Sequence, residues 1–263
     1  MRGLRAVTAL GIAVSMLSIG PTAGSTGGVA GGGERGGVRH SGEVTSAVHT
    51  TRAGGAHFAS GTVTVSGSPA ACSDGSYNLM GPRWKSTLRW SFRASTTPSG
   101  LSATGVLAIL KRGFANIAGA RNDCGRGDRV SLATSYLGNT SSKIGVTSGG
   151  RCATGDGRNV VGFGSLPEGV LGVTCIRSSD GRVTEIDIRI NSATRWALAL
   201  TGCTNRYLLE AVTTHEVGHA VGLSHVSESS HGRLTMSTHL NGTCQNAEST
   251  LGLGDLRGLE ALY

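Results

Sequence analysis

The sequence predicts a mixed α+β domain, on three observations. Residues 88–92 and 183–190 alternate apolar and polar side chains, the period of a half-buried strand. Residues 102–118 place Val106, Leu107, Leu110, Phe114 and Ile117 at helical spacing, and residues 205–221 read as a second long helix. Short apolar runs at 130–137, 160–163 and 170–176 supply the remaining strands, with turn chemistry at 178–181. Residues 255–263 carry Leu256, Leu259, Ala261 and Leu262, the pattern of a short amphipathic helix. One strand, a helix, several strands and then helices put a sheet in the first half of the domain and the reactive residues in the second.

The 263 residues divide by composition into three parts. Residues 1–24 have a cationic start, an apolar stretch from Ala6 to Ile19 and small residues beyond, the layout of an export signal. In residues 25–70, Gly, Ser and Thr make up 24 of 46 positions and Phe58 is the only aromatic. Such a stretch buries too little surface to offset its ordering entropy, so it reads as a linker or pro-segment with His40, His49 and His57 solvated. Its one hint of order is the alternation at 62–65. Residues 71–263 are long enough for a real core and contain all six cysteines, Cys72, Cys124, Cys152, Cys175, Cys203 and Cys244. An even count without a CxxC spacing in an exported chain implies disulfides. Of fifteen possible pairings, the preferred one joins neighbours in order: 72 with 124, 152 with 175, 203 with 244.

The net charge of +8 is spread singly or in pairs, with no basic run and no nucleic-acid motif, so no nucleic-acid partner is expected. Beyond the leader no segment approaches 18 consecutive apolar residues, which predicts a secreted, extracellular monomer without a membrane partner after export.

The chemistry concentrates in eleven residues, His215-Glu-Val-Gly-His-Ala-Val-Gly-Leu-Ser-His225. On a helix, His215 and His219 lie about 40° apart around the axis and about 6 Å along it, so both rings can reach one ion. They share a stripe with Leu208 and Val212 and face what those residues pack against. Glu216 lies about 100° further round, placed beside a metal-bound water rather than among the ligands. Gly222 can end the helix with a positive φ and turn the chain so that His225 approaches the same ion. Three neutral imidazoles with one open position describe a catalytic zinc site, because a structural site is closed by a fourth protein ligand. His231 and His239 read as loop histidines.

This segment resembles the HExxHxxGxxH signature of the metzincin zinc endopeptidases, and Met236 falls eleven residues after His225, where the family has its Met-turn. The end of the chain, 255–263, is similar to the closing helix of the matrixin branch, and 164–174 with 185–190 to the strands before its active-site helix. The resemblance implies a twisted, mostly parallel sheet, an antiparallel edge strand lining the cleft, an active-site helix and a small C-terminal subdomain. It also implies that His215, His219 and His225 bind one Zn2+, that Glu216 is the general base and acid, and that Met236 floors the site. The partner would be an extended protein or peptide, added beside a cleft-edge strand at 170–176, with a primary pocket walled by His239 and Leu240. Val226 and Thr238 depart from the residues that typify the known branches. Residues 25–70 contain no cysteine, which excludes latency by a cysteine switch. The matrixins' additional Ca2+ would have only the isolated Asp123, Asp128 and Asp156 to draw on. Two other readings are a zinc-binding protein that is not a protease, or hydrolyses another amide, and an adhesive protein carrying Arg126-Gly-Asp128.

Overall fold

The computed structural model describes residues 45–54 and 69–263. In chain order the elements are β1 (Thr45–Ala53), α1 (Pro69–Ser73), β2 (Asn78–Leu79), β3 (Leu88–Phe92), α2 (Ala103–Ala118), β4 (Thr134–Asn139), β5 (Val160–Gly164), β6 (Val170–Ser179) and β7 (Arg182–Asn191). There follow β8 (Trp196–Ala197), β9 (Tyr207–Leu208), α3 (Leu209–Ala220), β10 (Leu223–Ser224), α4 (Glu228–His231), β11 (His239–Leu240) and α5 (Leu253–Leu262). The fold is mixed α+β, as the sequence predicts. The export signal and the alternation at 62–65 lie outside the described residues.

Among the described residues the main sheet has the order β11-β1-β6-β7-β5-β3-β4. β4, β3, β5 and β7 are mutually parallel, β6 runs antiparallel to β7, and β1 runs antiparallel to β6 and parallel to β11. On one face lies α2, whose Val106, Ile109, Leu110, Phe114 and Ile117 are buried. Ile109 takes the place expected of Leu107, which is half-buried. Trp90 of β3 stacks on Phe114 with ring centroids 4.0 Å apart. α2 begins where Ser102 accepts a hydrogen bond from the Gly105 N–H, an ordinary N-cap.

Three expectations need correction. The first concerns residues 25–70, expected to be unstructured outside 62–65. Residues 45–53 form β1, inserted between β6 and β11. Composition misleads there because β1 is held mainly by two ladders of backbone hydrogen bonds, which poor apolar content does not prevent. Secondly, the strand at 170–176 is therefore not an edge strand here; β1 covers it from Thr45↔Ser178 to Arg52↔Val170. Thirdly, α3 starts at Leu209 rather than at residue 205. Asn205 has φ +48°, outside helical space, and Tyr207–Leu208 is a strand paired with Trp196–Ala197.

The disulfides are the three preferred ones, Cys72–Cys124, Cys152–Cys175 and Cys203–Cys244. The second ties the loop after β4 to β6, and the third ties the approach to α3 to the loop after β11. Closing a loop of 23 residues restricts the unfolded chain, so the double substitution Cys152→Ser, Cys175→Ser should cost about 3 kcal/mol in a urea titration. An unchanged midpoint would show that this bridge does not hold the loop.

Asp187 of β7 is buried, and one of its oxygens has no hydrogen-bond partner. Burial, with Glu185 and Asp156 nearby, pushes its carboxyl up to about 8. A carboxyl whose folded pKa is raised holds its proton more tightly than in the unfolded chain, so stability falls as pH rises from about 4 toward 8. Asp187→Asn should flatten that slope. The check is the melting temperature at pH 5 and pH 8; an equal drop in both proteins would contradict the assignment.

Candidate metal centre and cleft

α3 is buried at every position from Leu209 to Ala220 except Glu210. A helix with its polar groups so enclosed must satisfy them internally. Thr213 donates to the Leu209 carbonyl at 2.7 Å, and Thr214 to the Ser249 carbonyl at 2.9 Å. At its C-terminal end the Trp84 indole N–H donates to the Ala220 carbonyl at 2.8 Å and the Tyr263 hydroxyl to the Val221 carbonyl at 2.7 Å, satisfying orphan carbonyls of the last turn. Gly222 follows with φ +113°, a conformation costly to other residues, and sends the chain back through β10 to His225.

That turn brings together the three histidines of the motif. His215 Nε2 lies 2.9 Å from His219 Nε2 and 3.1 Å from His225 Nε2, and the latter two are 3.0 Å apart. His215 Nδ1 lies 2.6 Å from the Thr235 carbonyl and His219 Nδ1 lies 3.0 Å from the Leu223 carbonyl. A carbonyl can only accept, so both Nδ1 atoms carry the proton and both Nε2 atoms present lone pairs. The contact between His215 and His219 is therefore not a hydrogen bond: two lone pairs meet at one point beside His225 Nε2. Nitrogens 2.0–2.1 Å from a common tetrahedral ion would be about 3.3 Å apart, within a few tenths of an ångström of what is seen. The donor set fits zinc, with its second nitrogens oriented by backbone carbonyls. Burial drives the His215 and His219 pKa values well down and His225 to about 4, keeping the rings neutral as ligands must be.

Glu216 is fully buried. Its two carboxylate oxygens accept from the Thr51 hydroxyl and the Thr174 hydroxyl, each at 2.5 Å. Burial pushes its carboxyl up to about 7, and the bonds from Thr174 and Thr51 pull it back. Gly172 of β6 leaves the room: a Cβ there would sit 2.5 Å from Glu216 Oε1.

Met236 lies under α3 against Gly218. Its turn is held by Asp255, fully buried in the first turn of α5. The carboxylate of Asp255 accepts from the Thr235 N–H at 2.9 Å, the Met236 N–H at 3.0 Å and the Gly252 N–H at 2.9 Å. The Met236 carbonyl accepts from the Val226 N–H at 3.0 Å, next to His225. One carboxylate thus fixes the turn whose Thr235 carbonyl orients His215.

All five residues singled out by the motif and the Met-turn, His215, Glu216, His219, His225 and Met236, come together. Four others at the site escaped sequence reasoning. Thr174 and Asp255 sit in elements that were recognised, but nothing in the sequence marks their side chains. His49 and Thr51 belong to β1. His49, expected in solvent, has its ring 4.5 Å from that of His219 and 6.0 Å from that of His225. One nitrogen from each of these three rings lies within 4.8 Å of the others. His239 and Thr238 line a groove beside β1 with Val48, His49, Thr50, Arg52 and His225. His231 instead pairs with Asp74 at 2.8 Å, away from the histidine cluster. Asp123, Asp128 and Asp156, the isolated carboxylates considered for calcium, form no metal-ligating cluster among the described residues.

A family model described as Matrixin matches residues 161–263, from β5 through the histidine motif and the Met-turn to α5. No curated protein matches the chain.

Removing the Asp255 carboxylate would strand three buried N–H groups, each costing about 1–3 kcal/mol. Asp255→Ala should therefore destabilise the fold by about 3 kcal/mol or more and weaken zinc affinity, measured by denaturant titration and competition with a chelator. Wild-type zinc affinity in a folded Asp255→Ala protein would show that the turn does not orient His215.

Proposed function

We propose that the chain, which a Matrixin family model matches over residues 161–263, is a matrixin-like, secreted zinc-dependent endopeptidase. The match supports zinc metalloprotease function in general. The observation that carries the finer reading is the convergence of three neutral imidazoles, 2.9–3.1 Å apart, with a buried carboxylate on the same helix.

His215, His219 and His225 would hold the zinc. When bound, the ion polarises a carbonyl and acidifies water. The chain's own contribution is positional. Carbonyls of Thr235 and Leu223 keep the two helix imidazoles in the ligating tautomer. Glu216 has the place and environment of the residue that takes a proton from the attacking water and returns it to the leaving amine. A nearby cation would favour its ionised form against the upward push of burial. Thr174 orients the carboxylate from β6. An extended peptide is the substrate class: β1, itself an extended segment, lies between β6 and β11 and pairs with both, the mode in which a peptide strand would add to the sheet.

The leader at 1–24 and the three disulfides favour an extracellular site of action, and no helix among the described residues is long and apolar enough to cross a membrane. One catalytic zinc, acting on an internal peptide bond in a monomer, completes the proposal.

Glu216→Ala should bind one zinc per chain by elemental analysis yet lose at least about a thousandfold in peptide hydrolysis. Casein cleavage by Glu216→Ala at the rate of the unsubstituted chain would remove Glu216 from the mechanism. Chelation should abolish turnover and added zinc restore it; activity that survives a zinc-free preparation would refute the metal's role.

A further inference from the structure

Away from the histidine cleft, the face of the main sheet opposite α2 and α3 carries two arginines that pair with no acid among the described residues. Arg93 directly follows β3, and Arg189 lies near the end of β7. The Ser91 N–H donates to the Asn159 carbonyl at 3.0 Å and the Arg93 N–H to the Val161 carbonyl at 2.9 Å, which sets Arg93 opposite Gly162 of β5. Gly162 is in turn registered with Arg189. Trp90 of β3 and the isoleucines 188 and 190 of β7 face the helices, so Arg93 and Arg189, an odd number of residues away, point to the other side. Two strand spacings, about 10 Å, separate the arginine backbones, and the position between them has no side chain.

The topology makes a crevice at this place. α2 joins β3 to β4 across one face, whereas residues 140–159 join β4 to β5 over the other, where a Cβ on Gly162 would sit 2.7 Å from Ile144 Cδ1. From β3 the chain thus passes first to β4 on one side and then to β5 on the other. In open sheets ligands bind at such a reversal, outside the carboxyl ends of the strands. Those ends carry Arg93, Gly164 and Arg189. A Cβ on Gly164 would overlap the Arg189 guanidinium, so the glycine provides the room that the guanidinium fills. Thr96 fixes the gap, donating to the Arg93 carbonyl at 2.6 Å and accepting from the Phe163 N–H at 2.9 Å.

The charge there is unbalanced. Burial and the charge of Arg93 hold the Arg189 guanidinium below its ordinary pKa. Nε of each arginine is buried with no hydrogen-bond partner, and neither is in an ion pair among the described residues. Asp187, the preceding residue of β7 on this face, accepts from the Gly145 N–H, and burial pushes its carboxyl up to about 8, so it is mostly uncharged at neutral pH. Like charges in partly buried surroundings are costly unless an opposite charge joins them.

We propose that Arg93 and Arg189 form a binding site for a doubly charged tetrahedral oxyanion, phosphate or sulfate, free or as a monoester, at the carboxyl ends of β3, β5 and β7. Two guanidiniums without a carboxylate match the charge of a dianion, and their planar N–H forks match its oxygens. The site stands apart from the zinc reading of the histidines.

The test is titration calorimetry of the full chain with inorganic phosphate and with sulfate, at constant ionic strength made up with chloride. Saturable binding of about one ion per chain is expected, weakened about tenfold or more in Arg93→Gln and in Arg189→Gln, because a hydrogen bond to a charged group contributes about 1.5–3 kcal/mol. Should Arg189→Gln fail to fold, Arg93→Gln decides. His225→Ala and Arg129→Gln, the latter at an exposed arginine outside the crevice, should bind as the unsubstituted chain does. Competition by phenyl phosphate would identify the ligand as a monoester, and binding of the inorganic ions alone as a free ion; both outcomes support the site. Absence of saturable binding to the unsubstituted chain would overturn it, as would equal affinity in Arg93→Gln. Loss of binding in His225→Ala with retention in both arginine variants would also overturn it, by placing the anion at the histidine centre.

Discussion

Three imidazole Nε2 atoms lie about 3 Å apart, two of them presenting lone pairs that repel one another unless a cation sits among them, and most of the second half of the fold serves to hold them there. The helix alone can bring only two rings together. The third depends on the positive φ of Gly222, and the orientation of the first depends on the Thr235 carbonyl. That carbonyl belongs to a turn pinned by Asp255 from the first turn of α5. The candidate metal centre is thus built by three consecutive pieces of chain, each fixed by buried hydrogen bonds whose loss is costlier than their presence is stabilising.

The same economy governs the carboxylate. Glu216 stays buried because hydroxyls reach it from both β6 and β1, and because Gly172 removes the side chain that would have displaced it. Thr174 comes from β6 and Thr51 from β1, so two neighbouring strands of the sheet hold the carboxylate.

Much of the fold was legible because it rests on periodicity. The strands at 88–92, 160–164 and 182–191 and the helix at 103–118 lie within one or two residues of where alternation and helical spacing put them. The start of α3 was misplaced because the loop before it, with Asn205 at positive φ, is set by its disulfide and its pairing with Trp196, neither of which leaves a local pattern. β1 was missed for a related reason. Its stability comes from pairing with residues more than a hundred positions away, while its own composition is that of a linker.

The sequence by itself determined the candidate ligand set, since the spacing of His215, Glu216, His219 and Gly222 converts into geometry through helix pitch and turn conformation alone. It also suggested the disulfide order that the structure has. Only the tertiary structure decided what faces those ligands: Asp255 under the Met-turn, Thr174 on the carboxylate, and β1 with His49 and Thr51 across the cleft. Local spacing reports what one element presents, but a cleft is defined by the opposite wall, and which distant segment forms that wall is a matter of long-range strand pairing.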